Sequence, residues 1–193
     1  MFKFIIEVTI NIVLVTLLIL SSYNDIKFKI IPNKYTMPAI LIGFILLTLK
    51  GGLTGLQESF SGFILGFLVF LIPVIIGFMG AGDLKLMAAI GSLKGFIFTF
   101  NSLVFSGIAG GIIVIIYAIY KKQLLQTLIN MCGIIIKPLS KSIYLNSGNK
   151  TSKRIFEYFD VIKNKNPDLY IPYAIPISIG TILVLIGNIN KLL

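Results

Sequence analysis

Residues Phe4–Tyr23 read FIIEVTINIVLVTLLILSSY, twenty positions carrying a single charge, Glu7. A helix rises about 1.5 Å per residue, so about 20 apolar residues match the roughly 30 Å hydrocarbon core of a bilayer. The stretch therefore predicts a membrane span. Glu7 follows Lys3, the apolar run is long, and no small-x-small cleavage site precedes Asp25. Those features separate it from a removable signal peptide, and it is read as a retained span. The whole chain agrees. Of its 193 residues, 56% are hydrophobic and 12% charged, with a mean hydropathy of +0.98. A soluble domain carries about 25% charged residues. So few charges cannot cover a water-facing surface, and the apolar excess must meet lipid.

Five further spans follow from the same pattern. They are Met37–Leu49, with Pro38 suited to a first helical turn; Phe60–Met79, with Pro73 inside; Leu84–Leu93; Ser102–Tyr120; and Tyr170–Ile189, with Pro172 and Pro176. Gly107, Gly110 and Gly111 allow close helix contact in the fifth. The predicted fold is all-α, a polytopic transmembrane bundle of about six spans forming one domain over residues 1–193. A basic cytoplasmic linker occupies about 121–169, and within it Leu124–Ile136 suits an amphipathic interfacial helix.

Charge sets the orientation. With the N-terminus outside, segments 24–36, 80–85 and 121–169 face the cytoplasm and hold 13 of the 17 basic residues; Lys3, Lys50, Lys94 and Lys191 lie on the other side. The net charge of +10 is thereby assigned to the anionic lipid bilayer, with no nucleic acid as partner. The chain has no His, which excludes Ser-His and Cys-His nucleophiles and HExxH zinc sites. The single cysteine, Cys132, gives neither a disulfide framework nor a CxxC metal site. No metal and no cofactor are expected.

Seven acidic residues remain. Glu157, Asp160 and Asp168 lie in the basic linker, and Glu7 and Glu58 near outer helix ends. Asp25 and Asp83 differ: the topology brings one to the cytoplasmic end of the first span and the other to the cytoplasmic start of the fourth. Ionisable groups at helix depth are costly and are functional candidates. Two facing carboxylates share a proton, because like charges a few Å apart cannot both ionise. One then serves as base on a water while the other, protonated, polarises a carbonyl. Gly80 and Gly82 flank this site, and they are expected to take positive φ, unwind the helix start and admit a substrate backbone. Lys85 is expected to position the loop or meet lipid phosphate. Taken singly, Asp25 also reads as an ordinary end-of-span aspartate and Asp83 as a loop acid; the pair at matched depth is the specific signal.

The stretch Asp25-Ile26-Lys27-Phe28-Lys29-Ile30-Ile31-Pro32-Asn33-Lys34 resembles the type IV prepilin peptidase pattern of an Asp, basic residues and then Ile-Pro-Asn. Gly80-Ala81-Gly82-Asp83-Leu84-Lys85-Leu86 is similar to that family's GxGDxKL segment, and Ile171-Pro172-Tyr173-Ala174-Ile175-Pro176 to its Pro-Tyr-x-Pro segment. The resemblance implies a GxGD-type intramembrane aspartyl protease of the cell membrane. Asp25 and Asp83 would be its catalytic pair, with Gly80, Gly82, Lys85, Pro32 and Asn33 positioning loop and substrate. It implies cleavage, after a Gly at the cytoplasmic face, of the short basic leader of a prepilin-like substrate. Longer members carry paired CxxC motifs and N-methylate the product; with one Cys, this chain is expected to be a peptidase alone. It resembles the short peptidases of tight-adherence and competence-type pilus systems and of archaeal filaments. Two other readings stand beside this one. The presenilin-like branch of GxGD proteases pairs Tyr-Asp with Gly-x-Gly-Asp, whereas Tyr23 and Asp25 are not adjacent. A small proton- or cation-coupled transporter or channel component would use the same two aspartates as a relay.

Overall fold

The computed structural model describes residues 1–75, 79–120 and 172–189. They form six α-helices: α1 Phe2–Phe28, α2 Asn33–Gly51, α3 Leu53–Ile75, α4 Ala81–Lys94, α5 Phe96–Tyr120 and α6 Ala174–Ile189. Among the described residues there is no strand. The chain divides into two compact units, Met1–Ile112 with Pro172–Leu193, and Ile113–Ile171. Of the second unit, Ile113–Tyr120 are described, as the last two turns of α5. The expected interfacial helix at 124–136 and the linker at 121–169 lie outside the described residues.

The protein is a helical membrane bundle. Helices α1, α2, α3 and the Phe96–Ile116 part of α5 are long and apolar enough to cross a bilayer; α6 holds a shorter apolar helix. On α1, Ile6, Ile10, Leu14, Leu17, Leu18, Ser21, Asn24 and Asp25 are buried. Their spacing of three and four residues makes one stripe along the helix. Ile5, Val8, Ile12 and Ile19 point outward, as a lipid-facing surface requires.

The buried centre is α4. Every residue from Asp83 to Leu93 except Lys85 is buried, and α4 packs against α1, α2, α3 and α6. At 14 residues it is about 21 Å long, shorter than the hydrocarbon core. Small residues let its neighbours approach. Gly62 of α3 and Gly91 of α4 meet backbone to backbone, Gly66 lies on Met87, and Gly43 of α2 lies on Ser92. Lipid tails are as apolar as leucine, so packing of this closeness is what holds membrane helices together.

Several boundaries differ from expectation. The second span begins at Asn33, so Pro38 lies inside α2. Its missing N–H would free the carbonyl of Lys34, an exposed residue in the first turn. The third span begins at Leu53, directly after Gly52, whose φ of 63° makes the turn. The fifth begins at Phe96, because Gly95 at φ 78° is the whole break after α4.

At the α1 N-terminal end, Glu7 forms ion pairs with Lys50 at the end of α2 and with Lys94 at the end of α4, the latter at 3.6 Å. Lys94 also stands over the Phe98 ring. One carboxylate thus ties three helix ends together. Asp25 lies 18 residues further along α1, a rise of about 27 Å.

Candidate active site

The α1 stripe that buries Leu14 and Leu18 also carries Asp25 into the protein, in the last two turns of the helix. Only 3% of Asp25 is exposed. Helix α1 closes at Lys29, a left-handed residue (φ 56°) whose N–H donates to the Asp25 carbonyl at 2.9 Å. The chain then turns through Ile30 and Ile31 to Pro32, the extended N-cap of α2. The Ile-Pro-Asn segment is therefore the connection that returns the chain from Asp25 into α2.

Asp83 is the third residue of α4 and is 7% exposed. Its Oδ2 accepts a hydrogen bond from the Gly80 N–H at 3.2 Å. A carboxylate in the first turn satisfies an otherwise orphaned backbone donor and suits the positive end of the helix dipole. Helix α4 therefore starts where it does partly because Asp83 caps it.

The expected role of the glycines needs correction. Neither Gly80 nor Gly82 has positive φ; among the described residues, Gly52 and Gly95 are the glycines that do. Gly80 is the extended N-cap (φ −77°), and Gly82 sits within the first helical turn, so the helix is not unwound beyond Gly80. What Gly82 permits is contact with Ile31: a β-carbon there would lie 2.9 Å from Ile31 Cβ. A β-carbon on Gly80 would meet Asp83 Oδ2 at 3.5 Å, an ordinary contact.

The three sequence segments meet at one place. Ile31, in the first, lies on Gly82, in the second. Lys85 Nζ donates to Asn33 Oδ1 at 2.8 Å, joining the same two segments on the exposed side. The third segment closes the group: Ala174 N–H donates to Asp25 Oδ2 at 3.0 Å. Asp25 and Asp83 are close enough to act on each other electrostatically, and Asp83 acts likewise on the half-buried Tyr173. Two carboxylates from distant parts of the chain thus share one buried site, with backbone N–H groups holding an oxygen of each. Tyr173 and Ala174 were not among the sequence candidates. The Pro-Tyr-Ala run before α6 was the available signal, and the contribution of Ala174 is a backbone group that no side-chain pattern reveals.

A family model described as the type IV leader peptidase family matches residues 12–115, more than half of the chain. The chain belongs to the type IV leader peptidase family. The prepilin leader peptidase/N-methyltransferase of Bacillus subtilis (strain 168) is 32% identical over 87 residues, covering 44% of this chain and 34% of that relative. The chain thus matches about a third of the relative's length. No solved structure matches significantly. The family match contains Asp25, Asn33, Asp83 and Lys85 and stops before α6, so the contact from Ala174 to Asp25 is information the fold adds.

Proposed function

We propose that this protein is an aspartyl endopeptidase that removes the short basic leader from prepilin-like proteins at the cytoplasmic face of the cell membrane. What supports this reading is the burial of Asp25 and Asp83 within electrostatic reach of each other in a chain of the type IV leader peptidase family. In this mechanism the two carboxyl groups share one proton. The ionised one takes a proton from a water as that water attacks the scissile carbonyl. The protonated one donates to the carbonyl oxygen as charge develops there. Collapse of the tetrahedral intermediate breaks the C–N bond, the departing amine takes up a proton, and the pair returns to its one-proton state. Gly80, Gly82, Pro32 and Asn33 shape the connections around the pair, and Lys85 braces α4 against α2 through Asn33. The N-terminus of α1 lies on the outer side and the aspartate pair on the inner side.

Co-expression with a prepilin-like protein whose Lys/Arg-rich leader ends in Gly tests the reading. Loss of the leader, with a new N-terminus immediately after that Gly, is expected. An uncut substrate that remains membrane-inserted beside well-expressed enzyme would overturn it and move the transporter reading ahead.

A further inference from the structure

Ala174 is held to α1 at both ends of its residue. Its N–H donates to Asp25 Oδ2 at 3.0 Å, and its carbonyl lies 3.4 Å from the Ser22 hydroxyl. Ser22 Oγ is in turn 2.8 Å from Ser178 Oγ, and either can donate. Ser22 has one hydroxyl proton. If it goes to the Ala174 carbonyl, Ser178 supplies the donor to Ser22, and the chain runs Ser178, Ser22, Ala174 carbonyl without an orphaned proton. Ser22 lies three residues before Asp25 on α1, and Ser178 one turn beyond Ala174 on α6. The hydroxyl pair therefore sits within one helical turn of the contact it could govern.

The opposite side of α6 is also fixed. Ser106 of α5 donates to the Ile177 carbonyl at 3.3 Å, and Gly180 leaves room for the Ser106 backbone. These contacts set how closely α5 and α6 approach. Lipid offers little hydrophobic drive to set helix rotation and slide, so interhelical hydroxyl bonds carry register. A slip of about 1 Å would stretch the 3.0 Å bond to Asp25 out of hydrogen-bonding range, and misplacement of that size is costly to a reaction that depends on aligned groups.

We propose that Ser22 and Ser178 are positioning residues for the peptidase reaction: their hydroxyl pair sets α6 on α1 so that the Ala174 N–H meets Asp25. The inference rests on the assignment of Asp25 as a catalytic carboxylate. Hydroxyl pairs that serve only as glue would lower stability and leave the turnover of folded enzyme alone.

The test uses purified full-length protein and a prepilin-like substrate in an assay where wild type cleaves and Asp83→Asn does not. Failure of that condition counts against the function, separately from this inference. Within it, Ser22→Ala and Ser178→Ala are each expected to lower kcat about tenfold with KM changed less than about twofold. The double variant is expected to be no worse than either single one, as for groups acting as a unit. Ser22→Thr, which keeps the hydroxyl, is expected to retain at least about half of wild-type kcat. Unchanged kcat in the alanine variants, or losses that simply multiply, would overturn the proposal. Should the alanine variants fail to fold, Ser22→Cys with Ser178→Cys in a Cys132→Ser background provides a second readout. Mild oxidation is expected to raise its kcat several-fold by locking the pair. Oxidation that leaves kcat unchanged, or abolishes it, would contradict the proposal.

Discussion

Gly82 and Ile31 are packed so closely that a β-carbon on Gly82 would stand 2.9 Å from Ile31 Cβ, 3.3 Å from its Cγ1 and 3.4 Å from its backbone N. Ile31 is buried and its backbone is fixed between Lys29 and the Pro32 cap, so it has little freedom to retreat. Through this contact the connection after Asp25 is seated on the helix start that carries Asp83.

It follows that the two glycines before Asp83 differ in tolerance. Gly82→Ala is an overpacking change and is expected to cost about 1–3 kcal/mol, with cleavage reduced at least tenfold. Gly80→Ala meets only an ordinary contact at negative φ. The poorer N-cap should cost less than about 1 kcal/mol and change cleavage less than about threefold. Denaturation midpoints and cleavage rates of the two variants, measured side by side, check this. Equal effects would remove the role given to Ile31.

The Lys85–Asn33 bond lies on the exposed side of the site. Exposed polar pairs contribute roughly 0–1 kcal/mol. Lys85→Ala and Asn33→Ala are therefore each expected to lower stability by less than about 1 kcal/mol, with the double variant close to either single one. A double-mutant cycle on thermal unfolding reads the coupling. Fully additive losses would mean that the two side chains act separately.

The Glu7 cluster is expected to support the fold without serving the chemistry. Glu7→Gln leaves Lys94, whose side chain is 10% exposed, without its carboxylate partner. Because Glu7 itself is about one-third exposed, the expected loss is about 1–3 kcal/mol, below that of a fully buried pair. Turnover per folded molecule should stay within about twofold of wild type, since the cluster and Asp25 are about 27 Å apart along α1. Detergent-melting curves together with active-fraction kinetics separate the two quantities. A large fall in kcat would tie the far end of the bundle to the reaction.

Much of this was legible in the chain. Long apolar runs specify spans because a bilayer admits little else, and Asp25 and Asp83 stood out because charge is so scarce here. Less legible was the position of α4. Its segment looks like a short, marginal span, whereas Gly43, Gly62 and Gly66 on its neighbours make it the buried centre, a property of other helices and not of its own sequence. The Leu53–Ser59 stretch is too polar to read as span yet is helical, because Gly52 turns the chain in one step. The glycines before Asp83 were read as conformational devices and proved to be extended and helical, with Gly82 a packing device. Ala174 escaped notice because its contribution is a backbone N–H, which every residue but proline has.

The central claim is that Asp25 and Asp83 act together on one water, and the most direct measurement is the cleavage rate of a prepilin-like substrate by purified wild type, Asp25→Asn and Asp83→Asn. Each substitution keeps side-chain size, so folded protein in equal amounts is expected, with cleavage lower by at least about a thousandfold in both and no further loss in the double variant. Cleavage within about tenfold of wild type in either single variant would contradict the two-carboxylate account.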